Sequence, residues 1–458
     1  VSPWRPWRLD CTRRKGGLFS HFVFWIFIKM SDLHRRDVWT WDRTAIRQHQ
    51  LERLGRLLPV LREHPLYADS LAHFTRPIDS LEVLSELPIL EKSAILPDSP
   101  AGPSKLFVQP RDRYVRWHQT SGSTGWPLPV MDTAEDWDWW LECWQYVLDA
   151  ADVTTSDVAM MAFSFGPFIG FWSANDALLR RSVLVVPGGG LSSQARLRLI
   201  LQQNCSLLCC TPTYAMHLAE VAEQQGVDLA GGPISRIIVA GEPGGSLPSV
   251  RSVLEKRFGA RVIDHAGASE LGAWGFATAD GSGLHVIESE FIAETLVFDS
   301  DGTVQRRAEP GETAELVLTN LGRFGGPVLR YRTGDLVRAV WDHDLPCRFV
   351  SLQGGVLGRA DDMLVIRGVN VFPGSVEAIL REVEATAEFR VIVSRREAMD
   401  QIRVEVEASE DAVRQLETRF RDRLAMRVPV AAVPAGSLPR FEAKARRWID
   451  RREEAADR

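Results

Sequence analysis

The hydrophobic positions in the first part of the chain have the spacing of an α-helix. Four leucines recur at offsets of 0, 3, 4 and 7 residues: Leu54, Leu57, Leu58 and Leu61. Residues with this spacing share one face of a helix. We therefore predict a helix over residues 41–64, ended by Pro65, because a proline ring cannot continue a helix. A polar, proline-rich connection through Pro88 and Pro97 is predicted to follow.

From about residue 114 the pattern changes to short β-branched runs separated by helical stretches. Residues 182–186 run into Pro187-Gly188-Gly189-Gly190, and residues 236–240 run into Gly241-Glu242-Pro243. Strands that end in glycine turns and alternate with amphipathic helices are typical of an α/β fold with largely parallel sheets. Over residues 311–340 hydrophobic and polar positions alternate, which favours antiparallel or mixed β-structure.

The last part of the chain has a pattern of its own, beyond a boundary near Asp361. Residues 391–393 and 402–406 predict paired strands. The helix predicted after them has four apolar residues on one face: Val413, Leu416, Phe420 and Leu424. We therefore predict an α/β fold with a large N-terminal domain over residues 30–360, whose mixed and parallel sheets are flanked by helices. A small α+β domain covers residues 361–458.

Residues 1–29 are interpreted apart from the fold. Arg13, Arg14 and Lys15 precede an eleven-residue apolar run over 18–28, which is shorter than the roughly 20 residues that cross a bilayer. The small-residue cleavage site of a secretory signal does not follow. We interpret Met30 as the start and the leader as a misassigned start or a disposable tail, with a signal or membrane tether as the alternative.

The amino-acid composition of the chain argues against several classes of function. The 458 residues include 54 Lys and Arg and 60 Asp and Glu, for a net charge of −6. Without basic stretches, binding to nucleic acid through phosphate neutralisation is not expected. The six cysteines are too few and too scattered for a disulfide scaffold and lack the paired spacing of a zinc site. A reduced cytoplasm and no membrane association are the expectations.

One segment rich in glycine and hydroxyl side chains has the composition of an anion-binding loop. It consists of Thr120, Ser121, Gly122, Ser123, Thr124 and Gly125. Such a backbone can curl around an anion and present N–H and O–H donors to it. The segment is not a P-loop, because no Lys-Ser/Thr pair follows its last glycine. A serine- and glycine-rich surface loop is the alternative.

Two acidic residues stand in turns that suit a nucleotide site. Glu270 follows a predicted strand at 261–263, where its carboxylate could hold Mg²⁺, a cation that prefers oxygen ligands. Asp335 ends Tyr331-Arg332-Thr333-Gly334-Asp335 and could accept hydrogen bonds from two vicinal ribose hydroxyls. The alternatives are a solvated loop glutamate and a turn-capping aspartate.

Two further segments complete a series of five. They are Gly358–Pro373, which contains Arg359 and Asp361, and Leu438–Arg447, which contains Lys444. In this order and spacing the five segments resemble the adenylate-forming superfamily and, more narrowly, the phenylacetate–CoA ligase family. The resemblance covers roughly residues 32–447.

The resemblance implies an acyl adenylate made from a carboxylic acid and ATP, with pyrophosphate released. The loop from Thr120 to Gly125 would hold the β- and γ-phosphates, and Glu270 would hold Mg²⁺. Asp335, assisted by Arg359, would bind the ribose hydroxyls. Gly241, Glu242 and Pro243 would form one wall against the adenine.

The resemblance also implies a catalytic lysine on a mobile small domain. Lys444 would bridge the carboxylate and the α-phosphate, and Asp361 would be the hinge about which the small domain turns between the two half-reactions. Three positions depart from the family pattern: Trp126, Ala266 and Ala443. Trp126 stands where a basic residue often follows the phosphate loop, so one phosphate contact is affected. Ala266 stands where the family often has an aromatic ring against adenine, and Ala443 stands where a glycine usually precedes the lysine.

The acid pocket is the least specific part of the prediction. By resemblance it would be bordered by Phe163, Phe168, Tyr214 and Ala268, and its aromatic walls favour an aromatic or arylacetic acid. Plain core packing is the alternative for the phenylalanines. The predicted function is an ATP-dependent acid–thiol ligase that uses ATP, Mg²⁺ and coenzyme A and acts on a small carboxylic acid.

Other functions and partners stay open on the sequence alone. The chain could pass its acyl group to a carrier-protein thiol, stop at the adenylate or, with lower weight, adenylate a deazaflavin cofactor. A catalytically silent nucleotide-binding protein is the alternative from a different class, and a homodimer is a further option.

Overall fold

The computed structural model describes most of the chain. The described residues are 35–72, 74, 78–99, 102–120, 127–279, 281, 283–299, 301–341, 344–360, 362, 364–366, 369–371, 373–396, 399–424, 426–441 and 447–452. Several predicted features therefore lie outside the described residues: the leader 1–29 with Met30, the loop residues 121–126, Asp361, Ala443 and Lys444.

The first part of the described chain is helical. Its α-helices are α1 (Arg35–Val38), α2 (Arg43–Glu63), α3 (Ala68–Ala72) and α4 (Lys92–Ile95), with 3-10 turns at Leu81–Glu86 and Arg111–Arg113. Helix α2 begins after Asp42, whose carboxylate accepts a hydrogen bond from the Ala45 N–H, and ends at His64. The helix predicted over 41–64 is thus confirmed. The connection after it is not simply polar, because Leu81, Leu84 and Ile95 anchor its short helices in the core.

Five parallel strands form one half of the main sheet, in the order β4-β3-β5-β6-β7. They are β3 (Val158–Met161), β4 (Leu184–Pro187), β5 (Leu207–Cys210), β6 (Arg236–Ala240) and β7 (Arg261–Ala268). Helices alternate with them: α5 (Ala134–Ala150), α6 (Trp172–Arg180), α7 (Ser193–Gln202), α8 (Pro212–Gln224) and α9 (Pro248–Phe258). All four residues of β5 are buried, as expected where helices cover both faces of a parallel sheet.

The other half of the main sheet is largely antiparallel and continues from β7 as β8-β9-β14-β13-β12-β10-β11, with β15 beside β13. Its strands are β8 (Gly272–Ala277), β9 (Leu284–Val286), β10 (Phe291–Phe298), β11 (Val304–Arg307), β12 (Thr313–Asn320), β13 (Tyr331–Val340), β14 (Ser351–Leu352) and β15 (Gly358–Arg359). Strands β1 (Tyr114–Gln119) and β2 (Pro129–Thr133) form a separate antiparallel pair. The alternation over 311–340 correctly predicted antiparallel strands.

The C-terminal part has its own sheet and its own hydrophobic core. Its elements are β16 (Leu364–Ile366), β17 (Val369–Val371), α10 (Pro373–Val383), β18 (Phe389–Arg396), β19 (Met399–Val406), α11 (Glu410–Leu424), β20 (Val430–Ala432) and β21 (Trp448–Asp450). The predicted strand pair is β18–β19, with Val391 opposite Val404. The apolar face of α11 packs into this core through Val413, Leu416 and Phe420.

None of the described helices is long and apolar enough to cross a membrane. The cysteines among the described residues are buried and not joined in disulfides: Cys143, Cys205, Cys209, Cys210 and Cys347.

Candidate active site

The candidate nucleotide residues follow neighbouring parallel strands. Gly241-Glu242-Pro243 comes directly after β6, and Glu270 lies in the turn between β7 and β8. Strands β6 and β7 are parallel, with Ala240 opposite His265. The carboxyl ends of adjacent parallel strands meet at one edge of a sheet, which is where α/β proteins bind ligands.

Glu270 is a buried carboxylate with two polar neighbours. The Tyr331 hydroxyl donates a hydrogen bond to Oε1 over 2.7 Å, and the Lys92 Nζ lies 3.4 Å from the same oxygen. Burial opposes ionisation, but the Lys92 ammonium and the Tyr331 hydroxyl outweigh it and lower the pKa of Glu270 below its ordinary value. The carboxylate is therefore ionised at neutral pH.

Lys92 reaches this site through a short backbone contact between distant parts of the chain. Leu90 pairs with β13: its N–H donates to the Arg330 carbonyl over 2.9 Å, and its carbonyl accepts from the Arg332 N–H over 3.0 Å. Helix α4 begins two residues later, with Lys92. The sequence analysis missed this lysine because it stands in no motif.

Asp335 and Arg359 face each other on β13 and β15. Arg359 Nη1 lies 3.2 Å from the Asp335 carboxylate and donates to the Thr333 carbonyl over 2.7 Å. Gly334, between Thr333 and Asp335 on β13, has a φ of 74°, a left-handed conformation that favours glycine. Here residues 333–335 of β13 oppose a single residue of β12, Leu316. Such a bulge re-aims a side chain out of the regular ladder.

Glu242 is fixed at the N-terminus of helix α8. Its Oε1 accepts a hydrogen bond from the Thr213 N–H over 2.7 Å. Gly241 before it has a φ of 92°, so a residue with a side chain would be strained in this turn. The chain thus holds the Gly241-Glu242-Pro243 wall at the same sheet edge as Glu270.

Thr120, the described member of the predicted phosphate loop, closes the base of that loop. Its N–H donates to the Leu128 carbonyl over 3.0 Å, and its hydroxyl oxygen accepts from the Leu128 N–H over 3.1 Å. Residues 121–125 lie outside the described part of the chain, so their phosphate contacts stay a prediction.

A buried ion pair connects the strand after this loop to the turn that carries Glu270. Arg323 Nη2 lies 2.6 Å from the carboxylate of Asp132 on β2, and both side chains are 0% exposed. Arg323 Nη1 also donates to the Ser269 carbonyl over 3.0 Å. Burial raises the pKa of Asp132 to about 6, against the opposing effect of Arg323. The sequence analysis did not find this pair, whose two residues stand far apart in the sequence and outside the motifs.

Replacing Arg323 with methionine is expected to lower the free energy of unfolding by about 3–5 kcal/mol, because Asp132 would be left as an uncompensated buried charge. Urea denaturation followed by tryptophan fluorescence measures the loss. Arg306→Met is the matched control, since Arg306 pairs with Glu312 at an exposed position. Equal denaturation midpoints for the two variants would contradict a structural role for the buried pair.

Phe163, one of the two predicted acid-pocket phenylalanines, belongs to an aromatic cluster. The rings of Phe163 and Phe165 have centroids 4.5 Å apart, and Phe165 meets Trp172 edge-on at 4.6 Å. A Cβ on Gly189 would come within 2.8 Å of the Phe165 ring, so the glycine turn after β4 packs directly against this cluster. Phe168 is 48% exposed and is thus open to contact a ligand.

The other two predicted pocket residues have different surroundings. Tyr214 is 1% exposed, and its hydroxyl donates to Ser193 Oγ over 3.2 Å while Arg196 covers its ring. This packing accounts for the tyrosine without a substrate contact. Ala268 ends β7, two residues before Glu270, and is only partly buried. The assignment of both to the acid pocket stays a prediction.

The residues of the candidate site fit a Mg²⁺ ion that enters the site bound to substrate phosphates. Among the described residues, groups of three or more His, Cys, Asp or Glu that could hold a metal are absent. Mg²⁺ is commonly bound through one or two carboxylates, substrate phosphates and water. A single ionised carboxylate at Glu270 satisfies that requirement.

Comparison with known proteins shows which protein family the chain resembles. Residues 368–452 match the family model of the AMP-binding enzyme C-terminal domain. A phenylacetate-coenzyme A ligase of Escherichia coli (strain K12) is 32% identical over 370 residues, 76% of this chain and 82% of that protein. A phenylacetate-coenzyme A ligase of Pseudomonas putida is 29% identical over 429 residues, 89% of this chain and 94% of that protein.

Solved structures agree with the fold. A 2-hydroxyisobutyryl-CoA ligase in the postadenylation state with R3-HIB-AMP has a TM-score of 0.82 at 26% identity, covering 91% of this chain and 92% of that chain. In the thioesterification state with 2-HIB-AMP and CoA the TM-score is 0.66 at the same identity and coverage. The α/β fold is thus confirmed. With a relative 32% identical over most of its length, the chain belongs to the phenylacetate–CoA ligase family of the adenylate-forming superfamily.

Proposed function

We propose that this chain is an AMP-forming acyl-CoA ligase that activates an aromatic or arylacetic acid. The observation that carries the proposal is the arrangement of Glu270, the Asp335–Arg359 pair and the Gly241–Pro243 turn. Glu270 and the turn stand at the carboxyl edge of the sheet, and β13 joins Asp335 to Tyr331, which contacts Glu270. Relatives that cover most of the chain and are named phenylacetate-coenzyme A ligases support it.

The reaction consists of two transfers on one acyl group. In the first, a carboxylate oxygen of the acid attacks the α-phosphorus of ATP, and the bond to pyrophosphate breaks. In the second, the thiol of coenzyme A gives up its proton and attacks the acyl carbonyl, and AMP leaves. Both steps bring anions together, so positioning and charge neutralisation supply most of the catalysis.

The nucleotide is held by its ribose and its phosphates. Asp335 accepts hydrogen bonds from the ribose hydroxyls, and Arg359 keeps its carboxylate in place. The Gly241–Pro243 turn lies against adenine. Thr120 to Gly125 wrap the β- and γ-phosphates.

Glu270 would hold Mg²⁺ that enters with ATP, and the ion would supply positive charge beside the phosphates. Lys92, 3.4 Å from Glu270, keeps that carboxylate ionised and adds positive charge beside the phosphates. Lys444 bridges the attacking carboxylate and the α-phosphate.

The acid class is argued from the aromatic cluster around Phe163 and from the exposed Phe168. Phe163 and Phe168 offer flat apolar surface for a ring, since aromatic rings stack favourably on one another. We place the reaction in the cytoplasm, where thiols stay reduced, in agreement with described cysteines that are not joined in disulfides.

A pyrophosphate-release screen across aromatic, arylacetic and fatty acids, with and without coenzyme A, tests the function. We expect release that needs both acid and ATP, highest with an arylacetic or aromatic acid, and a CoA thioester when coenzyme A is added. Acid-dependent release that never yields the thioester would favour a carrier-protein acceptor or an adenylate product instead. A chain that releases pyrophosphate with none of the acids would contradict the proposal.

Asp335→Asn is expected to raise the KM for ATP about 10- to 100-fold, because charge-assisted hydrogen bonds contribute about 1.5–3 kcal/mol. The KM for the acid should change little, since Asp335 is proposed to contact the ribose only. Steady-state kinetics with each substrate varied in turn measures both. Asp112→Asn, at an exposed position, is the control. A rise in the acid KM alone would contradict the ribose assignment.

A further inference from the structure

Two arginines flank the segment that contains Lys444, and both contact the same helix of the large domain. Arg440 Nε lies 3.2 Å from Glu220 Oε2, and Arg447 Nη1 lies 3.4 Å from Thr213 Oγ1. Glu220 and Thr213 both belong to helix α8. Residues 442–446, between the two arginines, lie outside the described part of the chain.

The two contact points share one face of α8. Thr213 and Glu220 are seven residues apart, close to two helical turns, which places them about 10 Å apart along the axis on the same face. The helix is itself fixed at its start, where the Glu242 carboxylate accepts from the Thr213 N–H. A rigid element next to the adenine wall therefore meets the C-terminal part at two positions.

Each arginine also forms an ion pair with a glutamate of the C-terminal part. Arg440 makes two contacts with Glu407, at 2.8 and 3.0 Å, and Glu407 also accepts from the Leu438 N–H. Arg447 makes two contacts with Glu388, at 2.5 and 3.1 Å. The arginines thus stay in place within their own part, while their contacts with α8 cross between the two parts. Arg447 also interacts with the Glu242 carboxylate of the large domain.

The arrangement of the two parts is that of one step of the reaction. The chain matches a ligase in the postadenylation state with a TM-score of 0.82 and the same ligase in the thioesterification state with 0.66, at equal identity and coverage. Identity and coverage are the same for the two structures, so we attribute the difference in TM-score to the placement of the two domains. The contacts with α8 therefore belong to an arrangement like the postadenylation state, which holds the adenylate before the thioester step.

We infer that the Glu220–Arg440 ion pair is a latch that favours the adenylate-forming arrangement and has to open before the thioester step. Glu220 is then a positioning residue, which acts through Arg440 and contacts no substrate. This inference rests on the proposed two-step function. The pair is partly exposed, with side-chain exposures of 31% and 23%, and such pairs shift an equilibrium by about two- to five-fold. An ion pair of this strength favours one arrangement of the domains and still allows the change to the thioester-forming arrangement.

Glu220→Gln is the test variant, because glutamine keeps the size of the side chain and removes its charge. We expect pyrophosphate release to fall about two- to five-fold. Thioester formation from supplied acyl adenylate and coenzyme A should stay equal or rise. Glu223→Gln on the same helix is the matched control, since Glu223 is 78% exposed and its nearest cation, Arg257, belongs to the large domain. An equal fall in both half-reactions, or no change in either, would overturn the latch.

Limited proteolysis tests the latch without relying on activity. Trypsin has to take up the Arg440 side chain, which Glu407 holds in both wild type and Glu220→Gln. A difference in cleavage after Arg440 between the two proteins therefore reports the contribution of the Glu220 contact. We expect cleavage there to be about two- to five-fold faster in Glu220→Gln and unchanged in Glu223→Gln. Equal cleavage rates in wild type and Glu220→Gln would refute the latch even in an active enzyme. An inactive wild type with the expected cleavage difference would refute the proposed function alone.

Discussion

Replacing Lys444 with alanine is expected to abolish adenylate formation and to spare thioester formation. A well-placed charge on a transition state contributes about 3–4 kcal/mol, a factor of about 10² to 10³ in rate. The lysine is proposed to act only where the carboxylate meets the α-phosphate, so the second step should not need it. Pyrophosphate release from acid and ATP measures the first step. CoA thioester formed from supplied acyl adenylate measures the second.

Lys105→Ala provides the control for this experiment. Lys105 is paired with Asp98 at the surface and has no proposed part in the reaction, so both half-reactions should keep their wild-type rates. An equal fall of both half-reactions in Lys444→Ala would show that the lysine has a general structural role. Its assignment to the first step would then be wrong.

Glu270→Gln is expected to reduce adenylate formation by about 10² to 10³ and to raise the Mg²⁺ concentration needed for half-maximal rate. Glutamine can still accept from the Tyr331 hydroxyl, which is 2.7 Å from Glu270, but it cannot neutralise a metal ion. It also leaves the nearby Lys92 without its anionic partner. Initial rates over a Mg²⁺ titration separate the loss of metal affinity from a loss of maximal rate.

Lys92→Met, alone and combined with Glu270→Gln, tests whether the two residues act together. If Lys92 acts by keeping Glu270 ionised, the double variant should lose far less than the sum of the two single losses in activation free energy. A Glu270→Gln enzyme with an unchanged Mg²⁺ requirement would contradict the metal assignment. Additive losses would indicate that Lys92 contacts the phosphates independently.

Much of the fold could be predicted because its signals are local. The leucine spacing in α2 and the apolar face of α11 each lie within a few helical turns, and the strand pair β18–β19 consists of neighbours in the sequence. Helix α4 could not be predicted in this way. Its position depends on the contact of Leu90 with β13, a pairing between parts of the chain that are far apart in sequence.

The candidate site also contains features that the sequence reveals and features that it does not. Glu270, Asp335 and Arg359 could be found because each stands in a short motif whose residues are adjacent in the sequence. Ion pairs between distant segments could not be found. Glu220 and Arg440 are 220 residues apart, and ion pairs between such positions depend on tertiary packing, which leaves no periodicity in either segment.

A crystal structure of the protein with ATP and magnesium would test the central claim most directly, because the claim concerns where the nucleotide binds. We predict the ribose hydroxyls within hydrogen-bonding distance of the Asp335 carboxylate, the metal ion on Glu270 and the adenine against the Gly241–Pro243 turn. A nucleotide bound elsewhere, without contact to Asp335 or Glu270, would contradict the account.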